Sequence, residues 1–223
     1  MAKTLFITGA SSGIGAATAR AAAGVGWNVA LFSRSGDKLS DVARELGGKA
    51  IVAEGDATRV DDLEAAVSQA ATHFGGIDAA FANAGRGLSK PGTEAGNLED
   101  IRGMIDLNVM GVILTARAVL PELRKTKGTL VLTGSAAGRR HISGSIYGAT
   151  KWFVHGYAGN MAEEMREWGG RCSVVAPGMV DTAFFDEGAP DKLQPEDVAQ
   201  AVLHMISAPE RAAIREIYLM PQA

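Results

Sequence analysis

Seven short apolar runs separated by longer alanine-rich stretches constrain the fold of this chain more than any other feature. The runs are Thr4–Thr8, Asn28–Phe32, Ala50–Ala53, Ala79–Ala82, Thr129–Thr133, Ser173–Val175 and Glu216–Leu219. Each is too short for a buried helix, and its apolar residues are consecutive rather than alternating, as in a strand covered on both faces. Helical patterning fills the intervals at about Ile14–Val25, Lys38–Leu46, Val60–Phe74, Leu98–Arg124, Ser145–Trp168 and Pro195–Ser207. Strands alternating with helices of this length imply right-handed crossovers. The expected fold is α/β, a doubly wound parallel sheet of about seven strands with helices on both faces.

Composition sets the outer bounds. A chain of 223 residues suits one domain, and neither Arg86–Asn97 nor Thr182–Asp191 reads as a linker, so residues 1–223 are expected to form a single domain. With 47% hydrophobic and 21% charged residues it can bury a sizeable core. A formal net charge of −3 argues against a general nucleic-acid or anionic-membrane surface. Cys172 is the only cysteine, which excludes an intrachain disulfide and any multi-cysteine metal site and fits a reducing, cytoplasmic setting. His73, His155 and His204 are scattered, so no metal is expected. The apolar run near the N-terminus, Leu5 to Ile7, is too short for a secretory signal. No uninterrupted apolar stretch reaches bilayer length, so a soluble protein is expected.

Directly after the first strand comes TGASSGIG, Thr8 to Gly15, followed by an alanine-rich helix. Glycines at 9, 13 and 15 let the backbone approach a pyrophosphate, and the helix N-terminus offers free N–H groups and partial positive charge. The spacing is G-x-x-x-G-x-G, not the familiar G-x-G-x-x-G, and glycines also serve ordinary turns. Its place between strand and helix makes Gly9, Ser11, Ser12, Gly13, Ile14 and Gly15 candidates for binding a dinucleotide. The second strand ends at Ser33 without an acidic side chain, and Arg34 follows. A carboxylate there would accept from a free ribose 2′-hydroxyl, whereas serine and arginine suit a 2′-phosphate, which points to NADP(H) over NAD(H).

YGATK, residues 147–151, sets a phenol and an ammonium four residues apart. On a helix these share a face one turn apart, and a nearby cation favours the phenolate, lowering the tyrosine pKa from about 10. The motifs TGASSGIG (8–15), GDAT (55–58), ANAG (82–85), LNVMG (107–111), TGSAAG (133–138), YGATK (147–151) and PGMVDT (177–182) occur in this order. In this the chain resembles the short-chain dehydrogenases/reductases, over nearly its whole length. The resemblance implies a Rossmann-type fold and an NADP(H)-dependent oxidoreductase that interconverts an aldehyde or ketone and an alcohol. By it, Asn108, Ser135, Tyr147 and Lys151 match the catalytic tetrad. Tyr147 is the general acid/base, Ser135 polarises the carbonyl, Lys151 also holds the nicotinamide ribose, and Asn108 supports a proton-relaying water. It further places Asp56 and Ala57 by the adenine and Asn83, Ala84 and Gly85 along the fourth strand. Pro177, Gly178, Val180 and Thr182 face the nicotinamide. Ala82 departs from the family's common NNAG, with Asn83 retained.

The substrate is expected at the carboxyl ends of the strands. Arg86, Gly87 and Leu88 follow ANAG, His141 and Ile142 lie between Ser135 and Tyr147, and Val180 and Phe184 lie near PGMVDT. Arg86 and His141 would suit an anionic substrate, or are solvated loop residues. Trp152 and Phe153 read as packing residues. The helices near 98–124 and 145–168 have more apolar circumference than one sheet contact needs. In similar proteins they form a four-helix interface, so the resemblance implies a homodimer or homotetramer.

Overall fold

A computed structural model describes residues 2–182 and 191–222. Phe184 lies outside the described residues. Seven strands form one parallel sheet in the order β3-β2-β1-β4-β5-β6-β7. They are β1 (Thr4–Thr8), β2 (Asn28–Ser33), β3 (Ala50–Glu54), β4 (Ala79–Ala82), β5 (Thr129–Thr133), β6 (Arg171–Pro177) and β7 (Glu216–Leu219). The chain winds outward from β1 to β3, returns to β4 beside β1, and winds the other way to β7. The reversal between β1 and β4 leaves a crevice at their carboxyl ends, the ligand position in open α/β sheets.

Alternate strand residues feed two cores. Leu5, Ile7 and Leu31 join Leu39 and Val42 of α2 (Gly36–Leu46) and Val202 and Met205 of α7 (Pro195–Ile206). Phe6, Phe32 and Leu130 join Leu63 of α3 (Val60–Phe74), Val119 and Leu123 of α5 (Gly111–Thr126), and Val154 and Met165 of α6 (Ile146–Arg166). Helix α1 (Gly13–Gly24) packs on α7 over the first core, and α3 packs on α5 over the second. The central strands β1, β2, β4 and β5 are buried almost end to end, each large side chain contributing roughly 1.5–3 kcal/mol. The expectation of two buried faces fails at β3 and β7, which are half exposed because they are the sheet edges.

Helix ends follow local chemistry. Asn97 caps α4 (Leu98–Ile105) by accepting from the N–H groups of Glu99 and Asp100, and Gln194 and Asp197 form a capping box around Pro195 on α7. The stretch expected as one helix over Leu98–Arg124 is two, α4 and α5, joined by a π-helical turn at Asp106–Met110 that contains Asn108. By length and composition the Leu98–Thr126 run is long and apolar enough to cross a membrane, although charged residues such as Asp106 and Arg117 interrupt it. Here Val112, Ala116, Val119 and Leu123 of that run are buried in the core of the sheet sandwich.

The turn after β1 is set by sterics. Gly9 has φ +67°, and a Cβ at Gly15 would lie 2.2 Å from the Gly9 carbonyl oxygen and 2.9 Å from Asn83 Nδ2. Gly15→Ala must therefore displace backbone. The substitution should cost about 1–3 kcal/mol, read as a lower midpoint in guanidinium melts; an unchanged midpoint would contradict this close approach.

Candidate active site

The carboxyl ends of β1, β4, β5 and β6 gather the residues singled out in the sequence. After β1 the loop turns into α1, whose N-cap Ser12 makes no side-chain bond to the first turn and whose first turn holds no acidic residue. Its N–H groups and positive end are thus offered to an anion. The loop is braced from behind. The Ala10 N–H donates to the Phe32 carbonyl at 3.2 Å, and Asn83 Nδ2 donates to the carbonyls of Thr8 and Gly9 at 3.1 and 3.2 Å. Thr8 Oγ1 accepts from the N–H groups of Asn83 and Ala84. The side chain of Asn83 is thus spent on shaping the loop. Gly9 and Gly15 leave no room for a Cβ at either position, so the loop is drawn tight onto the start of α1, a shape that fits a dinucleotide pyrophosphate.

At the outer end of the crevice, Ser33 is half-buried and Arg34 exposed. Asp56 accepts from the N–H and hydroxyl of Thr58 at 2.9 and 2.8 Å. Burial pushes its carboxyl up, but the Thr58 bonds and the Arg34 and Arg59 cations outweigh this and hold it below the usual range. Ala57 is buried beside it. One carboxylate also approaches: a Cβ at Gly36 would lie 2.3 Å from Glu54 Oε2, which puts Glu54 at the start of α2.

At the inner end, β5 runs into a single 3₁₀ turn (Ala136–Gly138) capped by Ser135, whose Oγ accepts from the Ala137 N–H at 3.1 Å. Ser135 is also hydrogen-bonded to the Tyr147 hydroxyl from the first turn of α6. One turn further, Lys151 is 4% exposed, its Nζ 5.7 Å from the Tyr147 ring centroid and donating to the Thr133 carbonyl at 2.8 Å. The π turn faces Asn108 inward, fully buried, where Oδ1 accepts from the Arg86 N–H at 2.9 Å. Its Nδ2 donates to the Arg86 carbonyl at 2.9 Å and to Thr150 Oγ1 at 3.2 Å. Thr150 in turn donates to the Tyr147 carbonyl at 2.7 Å. A Cβ on Gly85 would meet Asn108 Oδ1 at 3.2 Å and Lys151 Nζ at 3.8 Å, so the segment after β4 abuts this cluster. Asn108, Ser135, Tyr147 and Lys151 therefore form one contiguous group.

The electrostatics correct one expectation. Burial pushes the Tyr147 phenol up to about 12, with the Ser135 hydrogen bond pulling the other way, so Lys151 does not lower it in this chain. Desolvation dominates because the ammonium is turned toward the Thr133 carbonyl and is itself pushed down to about 8 by burial.

The segment after β6 closes the site. Gly178 donates its N–H to the Leu219 carbonyl at 2.7 Å, Val180 pairs with Leu193, and a Cβ at Gly13 would meet Thr182 Cγ2 at 3.2 Å. Pro177, Gly178, Val180 and Thr182 thus lie between the phosphate loop and the last strand. The substrate candidates fare differently. The Arg86 guanidinium is ion-paired with Asp100, which also accepts from the N–H and hydroxyl of Ser89 at 2.9 and 2.8 Å. This takes away the free cation that an anion-binding Arg86 needs. His141 is exposed and stacks on Trp152 at 5.4 Å between centroids. Trp152 is 44% exposed, so it is not the packing residue expected, whereas Phe153 packs against the second core and stacks on Tyr157.

Comparison with known proteins decides the lineage. Residues 3–192 match the family model for short chain dehydrogenases. The chain belongs to the short-chain dehydrogenase family. An uncharacterized oxidoreductase of Staphylococcus aureus (strain MRSA252) is 35% identical over 98% of this chain and 97% of its own length. An alcohol dehydrogenase from the archaeon Thermococcus sibiricus, in complex with 5-hydroxy-NADP, superposes with a TM-score of 0.92. It is 31% identical, over 100% of this chain and 97% of that one. Serine dehydrogenase from Escherichia coli gives a TM-score of 0.89 at 29% identity, over 98% and 97%. As a member of this family the protein is an oxidoreductase, and its fold and loop support a nicotinamide cofactor.

Several supporting residues were not read from the sequence. Thr133, Thr150 and Asp100 have ordinary sequence contexts, and their parts depend on partners distant along the chain. The lysine yields a prediction. Its pKa falls from 10.5 to about 8 on folding, so the unfolded chain binds more protons between those values and the lysine's contribution to stability rises with pH across that window. The unfolding free energy of wild type minus that of Lys151→Met, from denaturant melts without cofactor, should therefore climb by up to about 3 kcal/mol from pH 8 to 10.5. A flat difference would mean that the ammonium is not desolvated.

Proposed function

We propose that this short-chain dehydrogenase interconverts a small aldehyde or ketone and the corresponding alcohol, with NADP(H) as cofactor. The observation that carries the reading is the Tyr147–Ser135 hydrogen bond one helical turn from a buried lysine, beside a loop shaped for a pyrophosphate. When bound, the nicotinamide supplies or accepts the hydride. Every other part is played by the chain. With its pKa near 12, Tyr147 is protonated at neutral pH and gives its hydroxyl proton to the carbonyl oxygen. Ser135 Oγ hydrogen-bonds the same oxygen as charge develops on it. Lys151, near 8, is mostly an ammonium at neutral pH, held by the Thr133 carbonyl one helical turn from the phenol, where it would hold the nicotinamide ribose hydroxyls. Asn108 holds Arg86 and Thr150 and so fixes the helix turn between Tyr147 and Lys151. With Arg86 neutralised by Asp100, an uncharged carbonyl is favoured over an anionic one.

Gly9, Ser11, Ser12, Gly13, Ile14 and Gly15 would hold the pyrophosphate, with Asp56 and Ala57 by the adenine. The segment Pro177–Thr182 would border the nicotinamide. Arg34 and the lack of a carboxylate at Ser33 favour a 2′-phosphate, in keeping with the NADP-type ligand of the Thermococcus enzyme. One observation favours NAD(H) instead: Glu54, at the start of α2, would repel a 2′-phosphate. A homodimer or homotetramer through α5 and α6 is supported by the open groove between them. The half-buried Ile113, Leu120 and Tyr157 line it together with Arg117, Arg124 and Glu164, over about 730 Å³. A cytoplasmic location is consistent with the single buried, free Cys172.

The test is an absorbance screen of NADPH oxidation over aldehydes, ketones and diketones. At least one class should turn over. NADPH binding with no turnover on any of them would instead mark a non-catalytic sensor of the same fold. Tyr147→Phe should lower kcat by about 10²–10⁴-fold while NADPH still binds; substantial surviving turnover would sink the proton-donor role. Arg34→Ala should reduce the ratio of NADPH to NADH affinity by about 10–100-fold, the range of one charge-assisted contact. An unchanged ratio would leave the 2′-phosphate reading without support.

A further inference from the structure

Tyr147, Lys151 and His155 follow one another at four-residue intervals on α6, so the three side chains lie along one stripe of the helix. The first two belong to the site. The third faces the back of Ser135. His155 Nε2 lies 3.3 Å from the Ser135 carbonyl oxygen, and its side chain is 14% exposed. A carbonyl oxygen only accepts, so the contact is a hydrogen bond when Nε2 carries the proton. On the other side of the ring, Nδ1 lies 3.6 Å from Glu216 Oε1 on β7. The same carboxylate is paired with Arg139, the residue that follows the 3₁₀ turn. The ring therefore lies between a carbonyl at one end and a carboxylate at the other, and the carboxylate attracts it only when Nδ1 also carries a proton.

The residues flanking Ser135 are cut to fit this ring. A Cβ on Gly134 would lie 2.9 Å from His155 Nε2, as well as 2.6 Å from Val174 Cγ1. A Cβ on Gly138 would lie 2.7 Å from His155 Cδ2 and 2.7 Å from the Lys151 backbone carbon. The two glycines of TGSAAG thus admit an imidazole to the back of the segment that carries the serine. On its outer side the ring borders a cavity of about 520 Å³, lined also by Trp152, Gly156, Gly159 and Glu216. Packing from that side does not pin the ring, so its polar contacts must do so.

We infer that His155 is a positioning residue, whose Nε2–H holds the Ser135 carbonyl and so sets where the Ser135 hydroxyl points, with Glu216, itself paired with Arg139, beside the other ring nitrogen. This rests on the proposed role of Ser135 and adds a residue to it. The effect is geometric. A serine displaced by a fraction of an ångström still binds substrate but meets the developing charge less well, and misplacements near 1 Å are known to cost on the order of 100-fold.

Two amides of different reach make the test. In His155→Gln the side-chain amide nitrogen can stand where Nε2 stood and donate to Ser135; in His155→Asn it stops near the position of Nδ1. Both variants, with wild type and Ser135→Ala, would be assayed for NADPH oxidation with the best carbonyl found in the panel. Hydrogen–deuterium exchange of residues 134–139 would be measured without substrate. Expected are a kcat about 10–100-fold lower in His155→Asn, with KM within about threefold, and faster exchange in that segment. His155→Gln should recover most of both. Equal behaviour of the two amides, whether both like wild type or both impaired, would overturn the inference. If Ser135→Ala is inactive while His155→Asn matches wild type, only this inference falls. If Ser135→Ala itself turns over normally, the role of the serine falls and His155 with it.

Discussion

A parallel sheet buried on both faces can meet solvent chemistry only at its strand ends, and this constraint organises the molecule. β1, β2, β4 and β5 are closed to water above and below. Polar groups therefore collect where the strands stop: Thr8, Ser33, Asn83, Thr133 and Ser135 all sit at or just beyond a carboxyl end. The reversal of winding between β1 and β4 opens the gap they border. Apolar packing thus decides where the site is, and the polar residues decide what it does.

Within that gap most polar side chains hold backbone. Asn83 braces the glycine loop, Asn108 braces the segment after β4, and Thr150 links Asn108 to the first turn of α6. Lys151 is the exception that carries tension, a nearly fully buried ammonium with its hydrogen bond to one carbonyl. Burial of a charge without a carboxylate partner is unfavourable and stays only where surrounding structure enforces it. The same burial raises Tyr147, so phenol and lysine are driven toward their neutral forms from opposite directions.

The strands were legible because a run such as TLFIT admits few other readings, and boundaries differed mainly where strands continued past the apolar run, as at Arg171–Pro177. The tetrad was legible because its spacing and order are carried by small local motifs. What could not be read depends on distance along the chain. Nothing local to Arg86 announces Asp100 as its partner. The direction of the Tyr147 shift was missed for the same reason: a neighbouring cation can be read from spacing, but desolvation is a property of the whole fold. His155 looked like one of several scattered histidines, and only the fold shows that it is packed against the glycines at 134 and 138.

The π turn at Asp106–Met110 amounts to one residue more than an uninterrupted α-helix would hold. It sets α4 and α5 out of rotational phase with each other, and Asn108 sits in the turn where that phase is lost. A shortening by one residue would let the helix run straight through and would make a better helix. It would also turn the asparagine away from Arg86 and Thr150. Drift toward helical regularity and retention of the site therefore pull this segment in opposite directions, so a helix optimised for strength alone would be a helix without a site.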